Sequence, residues 1–110
     1  MSKPDDKTRL MHMLDYARDV VAFTEGRTVA DLENNLILER ALCYSIGIIG
    51  EAASKLTVAF REQTSHIRWA DIIGMRNFLF HVYFRVEPQV LWDTATHSIP
   101  ELIEQLEDLL

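Results

Sequence analysis

The stretch "RNFLFHVYF", residues 76–84, sets Arg76, His81 and Tyr83 among Phe78, Leu79, Phe80, Val82 and Phe84. The three polar types are those used around phosphate. Arginine is permanently charged and forked, and grips paired anionic oxygens. Histidine titrates near neutrality and moves protons. A tyrosine hydroxyl offers a donor, an acceptor and a point of attachment. Charge distribution points the same way. Residues 61–85 carry four arginines against Glu62 and Asp71, leaving that segment at +2, whereas the rest of the chain stands at −8 within a total of −6. The single net-basic segment therefore contains the polar triplet and fits an anionic ligand, while the overall acidity argues against a generic nucleic-acid binder.

Spacing complicates that picture. At about 100° per residue on an α-helix, Arg76 and Tyr83 fall within about 20° of one another, and His81 lies about 140° away from Arg76. Arginine and histidine then meet at a common spot in one of two ways. The helix ends near His81 and the chain turns, or a second copy of the helix supplies the missing partner. On periodicity alone, a histidine at a helix end beside a snorkelling arginine is the ordinary reading.

The elements that must position these groups are all helical. Segment 5–25 places Leu10, Met13, Leu14, Ala17, Val20, Val21 and Thr24 on one stripe, closed by Gly26. Thr28 and Asp31 form a capping arrangement for the next helix. Segment 36–57 carries Leu36, Ile37, Leu38, Leu42, Tyr44, Ile46, Ile48, Ile49 and Leu56 around most of its circumference. Such a helix is buried on more than one side, and in a small bundle one side is expected to face another protein. Its Gly47 and Gly50, in "IGIIGE", predict a close approach by a neighbouring helix rather than a phosphate loop. After the polar "FREQTSH" a third long helix runs from Trp69 to about His81 or Phe84. Pro88 opens a short helix, and Ser98 with Glu101 and Pro100 reads as a capping box starting the last one.

The expected fold class is all-α, an up-and-down bundle of four to five helices, forming a single domain over residues 1–110. The 48% apolar and 25% charged composition is that of a globular chain, no apolar run is long enough to span a bilayer, and the N-terminus lacks a secretory pattern. A cytoplasmic location without membrane association is expected. Cys43, the lone cysteine, reads as a buried thiol. Glu-x-x-His motifs of di-metal bundles are absent. Glu62/His66 and Asp93/His97 share helical spacing but read as surface pairs, so no metal and no cofactor is expected.

Four stretches in order, "IGIIGEAASKL" at 46–56, "WADIIGMRN" at 69–77, "RNFLFHVYF" and "VLWDTATHSIPELIEQLE" at 90–107, resemble the HEPN-domain HepT-type toxin family, also called DUF86. The resemblance implies a HEPN-like bundle that forms a homodimer, with Arg-x4-His segments of two subunits meeting at a cleft. It implies the toxin of a type VII toxin–antitoxin pair with a minimal nucleotidyltransferase (MNT) antitoxin, and a metal-independent ribonuclease acting on RNA. Arg76 is then the transition-state clamp and His81 the general acid or base. Tyr83 is the residue that the antitoxin adenylylates, Asn77 orients substrate or histidine, and Glu51 orients Arg76 or His81. Two positions depart from the family pattern: Val82 replaces a common glycine and Arg68 a common proline. The other class of function compatible with these residues is a non-catalytic nucleotide-binding or partner subunit of a nucleotidyltransferase.

Overall fold

A computed structural model describes residues 5–80 and 86–110. The described residues form helices α1 (Asp6–Thr24), α2 (Val29–Glu33), α3 (Leu36–Ser54), α4 (Val58–Gln63), α5 (Trp69–Gly74), α6 (Pro88–Asp93) and α7 (Ile99–Leu109). A 3₁₀ segment, Met75–Phe80, follows α5, and a π-turn, Thr94–Ser98, joins α6 to α7. No strand occurs among them, and the fold is an all-helical bundle. None of the described helices is long and apolar enough to cross a membrane.

Helix ends follow from side chains close in sequence. Asp5 accepts from the Thr8 N–H at 2.8 Å, Asn35 from Leu38 at 3.0 Å and Thr57 from Phe60 at 3.1 Å, each satisfying an amide that the first turn leaves without a helical partner. Thr28 and Asp31 form the full reciprocal capping box. Gly26, at φ 73°, takes the left-handed conformation that stops α1.

Helices α1 and α3 run antiparallel through the centre. The Asp6 carboxylate, at the start of α1, accepts from both the Thr57 N–H (2.9 Å) and its hydroxyl (2.8 Å), just past the end of α3. Met13, Ala17 and Val20 of α1 meet Leu42, Cys43, Ile46 and Ile49 of α3, with Leu91, Ile99, Leu102 and Leu106 closing the core from the last helical run. The α1 stripe is buried as expected except at Val21, which stays 38% exposed. Trp69 is buried with its indole N–H donating to Thr64 Oγ1 at 2.9 Å, so the apolar ring is covered and its polar edge satisfied. Cys43 is fully buried, and that burial pushes its thiol pKa up to about 12.

Three expectations change. The helix expected from Trp69 through His81 or Phe84 stops being α at Gly74, and 3₁₀ geometry takes over to Phe80. The reason is packing on α3: a methyl group at Gly50 would collide with the backbone of Met75 and Arg76, and one at Gly47 with Leu79. The two glycines thus let the 75–80 backbone lie directly on α3, bearing out a close approach at "IGIIGE". The second change is at Ser98. It has helical dihedrals (φ −64°, ψ −41°) and no side-chain capping bond, so the expected capping box is not formed. The chain stays helical through Pro88–Leu109, with the π-turn accommodating Pro100, which lacks an N–H and whose ring would crowd the preceding turn of a regular α-helix. Third, the polar run after α3 contains its own short helix, α4.

Helix α3 is packed on two sides, against α1 and against α5 with the 3₁₀ segment. Its apolar circumference is not used up by this. Leu36 (58%), Ile37 (83%) and Tyr44 (55%) remain exposed.

Candidate functional site

Arg76 is the second residue of the 3₁₀ segment. Because its backbone is pressed against Gly50, its side chain emerges beside the next residue of α3, Glu51. Glu51 Oε2 lies 3.6 Å from Arg76 Nε, and Glu51 Oε1 lies 3.7 Å from Nζ of Lys55, one turn further along α3. One carboxylate therefore sits between two cations. Glu51 is not the buried glutamate that an apolar helix would lead one to expect: its side chain is 39% exposed, and that of Arg76 47%. At this exposure the pair contributes about 0–1 kcal/mol to stability. The carboxylate lies on the Nε side of the guanidinium, whose forked terminal nitrogens are the groups suited to an anion.

Asn77 is exposed next to Arg76 in the same segment, and Phe80 projects with 51% of its surface exposed. His81, Val82 and Tyr83 lie outside the described residues, so the expected meeting of Arg76 with His81, and the placing of Tyr83, are not described. The phase relation drawn for an α-helix from Arg76 does not apply through Phe80, since 3₁₀ geometry advances about 120° per residue. At the other departure from the family pattern, Arg68 serves as the residue before α5 without a side-chain cap. Its Nε instead pairs with Asp71 Oδ2 at 2.8 Å in the first turn, and α5 begins at Trp69 as expected.

Lys55 is the residue that sequence reasoning missed. Its spacing of four from Glu51 was available as a signal for a helical ion pair. The signal carries no functional weight until Arg76 is seen on the other carboxylate oxygen.

The bundle thus carries, on its central antiparallel pair, a short tight segment that brings Arg76 beside Glu51. The family model described as "Ribonuclease HepT-like" matches residues 13–109, and the chain belongs to that family, which is of ribonuclease type. A Caldanaerobacter subterraneus protein named "Putative RNase" is 37% identical over 101 residues, covering 92% of this chain and 90% of the relative. A Methanocaldococcus jannaschii protein, also named "Putative RNase", is 34% identical over 110 residues, covering 100% of this chain and 91% of the relative. A Thermococcus cleftensis protein named "Probable ribonuclease HepT" is 30% identical over 104 residues, 86% of this chain and 93% of the relative. No solved structure matches the chain significantly.

Proposed function

We propose that the chain is the toxin of a type VII HEPN/MNT toxin–antitoxin pair, an endoribonuclease that works through Arg76 and His81 at the cleft of a homodimer. The observation that carries this reading is Arg76, exposed on a tight segment with Glu51 Oε2 3.6 Å from its Nε, within a chain whose family is of ribonuclease type. The relatives' names support RNA as the substrate class.

The chemistry needs proton transfer and charge stabilisation. A ribose 2′-oxygen attacks the adjacent phosphorus, its proton passing to a base, and the 5′-oxygen of the next nucleotide leaves with a proton from an acid. His81 serves as base or acid, with two copies in the dimer dividing the roles. Arg76 neutralises the equatorial oxygens of the five-coordinate transition state, where charge grows beyond that of the ground state. Asn77, exposed beside Arg76, orients the substrate. Silencing follows from Tyr83: its oxygen attacks the α-phosphorus of ATP on the MNT antitoxin, pyrophosphate leaves, and the tyrosyl phosphodiester occupies the place of the substrate phosphate.

The test is cleavage of a fluorogenic RNA by the purified chain and by Arg76→Lys, Arg76→Ala and His81→Ala. Loss of the acid–base group costs about 10²–10⁴ in rate. Arg76→Lys keeps the charge and loses the fork, so it recovers little of what Arg76→Ala loses. Wild-type cleavage that survives His81→Ala would overturn the assignment. Nucleotide binding with no cleavage by the wild type would favour a non-catalytic partner subunit.

A further inference from the structure

Glu51 and Lys55 face two ways. Besides meeting Arg76, they line a groove of about 380 Å³ between α1 and α3, together with Arg9, His12, Tyr16, Ile48 and Ala52. The α1 contributors Arg9, His12 and Tyr16 recur at successive turns. The antiparallel α3 contributors Ile48, Glu51 and Lys55 do the same on the facing wall. Over the seven residues from Arg9 to Tyr16 the groove extends about 10 Å along the helix axis. Its charge is positive: Arg9 and Lys55 stand against Glu51 alone, and Glu51 is already shared with Arg76. Arg9 Nε is shut off from solvent and has no hydrogen-bond partner among the described residues, so the terminal nitrogens are what Arg9 can offer a ligand. The end away from Arg9 is aromatic. Tyr16 meets the exposed Tyr44 edge to face, ring centroids 6.2 Å apart, and Asp19, one turn beyond, marks where the positive stretch stops.

In an acidic chain, a groove with a cationic side chain on each wall and an aromatic pair at one end has the composition of a single-strand nucleic-acid track. There, cations follow the phosphates and rings stack on bases. We propose that the Arg9–His12–Lys55 groove is a binding subsite for the backbone of single-stranded RNA, continuous through Glu51 with Arg76, with Tyr16 and Tyr44 as the stacking surface. It holds the nucleotides flanking the scissile phosphate, and so makes affinity depend on strand length. This rests on the ribonuclease reading of the Arg76 site, and the test separates the two.

Binding of fully 2′-O-methylated RNA, which lacks the attacking hydroxyl, is measured by fluorescence anisotropy with a trinucleotide and a dodecanucleotide. The full chain, Arg9→Gln/His12→Gln and Tyr44→Ala are compared. Wild type is expected to bind the longer strand at least tenfold more tightly than the shorter. Arg9→Gln/His12→Gln should lose most of that gain, with the salt slope of log K falling by about 0.7 for each phosphate contact removed. Tyr44→Ala, at an exposed position that leaves the core intact, should lose part of it without a change in slope. An unchanged length dependence in all variants, while Arg76→Ala still abolishes cleavage of unmodified RNA, would overturn the subsite and leave the ribonuclease reading standing. Failure of the wild type to bind either strand, with unmodified RNA also left uncleaved, would overturn both. Direct binding of a labelled polyglutamate peptide at concentrations where RNA does not bind, lost in Arg9→Gln/His12→Gln, would overturn the RNA subsite and assign the groove to an acidic protein partner.

Discussion

Glu51 and Arg76, 25 residues apart in sequence, approach to 3.6 Å because Gly50 lets the backbone of Arg76 rest on α3. The glycine sets the approach, and the glutamate carboxylate lies beside the guanidinium. Each can be changed separately.

Glu51→Gln keeps the shape of the side chain and removes its charge. Catalytic rate should fall by roughly ten- to a hundredfold, because a misdirected clamp loses alignment with the transition state. Thermal stability should hardly move, since a half-exposed ion pair is worth about 0–1 kcal/mol. Kinetics beside a calorimetric melt check both, and Glu51→Asp should restore part of the rate.

Gly50→Ala and Gly74→Ala form a contrast. A methyl at Gly50 meets the Met75–Arg76 backbone, which has no side-chain end to swing aside, whereas one at Gly74 meets nothing within 4 Å. Gly50→Ala should cost about 1–3 kcal/mol and reduce activity by shifting Arg76. Gly74→Ala, exposed and at ordinary helical dihedrals, should be neutral or stabilising by up to about 1 kcal/mol. Denaturant unfolding of both variants measures the difference.

Cys43 should resist alkylation by iodoacetamide at pH 8 in the native protein and react at once in denaturant. Burial raises its pKa from 9.0 to about 12, so the folded state keeps the thiol protonated. The folded pKa lies above the unfolded one. The stability this contributes is therefore fully present below pH 9 and is lost as pH rises toward 12, where the unfolded thiol ionises first. Unfolding free energy measured across that range should fall with pH, and Cys43→Ala should flatten part of the fall.

The exposed apolar residues Leu36 and Ile37 on α3, with Phe80 at the end of the 3₁₀ segment, leave a surface that a second copy is expected to cover. Light scattering at micromolar concentration should give the mass of a dimer. A monomer throughout would remove the shared cleft from the proposed mechanism.

Co-expression with the cognate nucleotidyltransferase should add AMP-sized increments of mass to the chain, located on Tyr83 by peptide mass spectrometry. Suppressed toxicity with no such increment would mean inhibition by binding alone.

The sequence by itself determined most of the helix ends and inward faces whose determinants lie within four residues. Thr28 with Asp31, Gly26, Pro88 and the α1 stripe apart from Val21 behave as read, because capping bonds and helical periodicity are local. Gly47 and Gly50 announced a close approach without saying by what. Tertiary structure alone decided that the visitor is the 75–80 backbone, and packing there replaced α geometry with 3₁₀. It likewise carried the last helical run through Ser98, where a local capping signal lost to continuous burial of Ala95, Ile99 and Leu102. The join between Glu51 and both Arg76 and Lys55 belongs to the same class. A side chain's partner across 25 residues is set by which backbones can touch, and that depends on the packed whole.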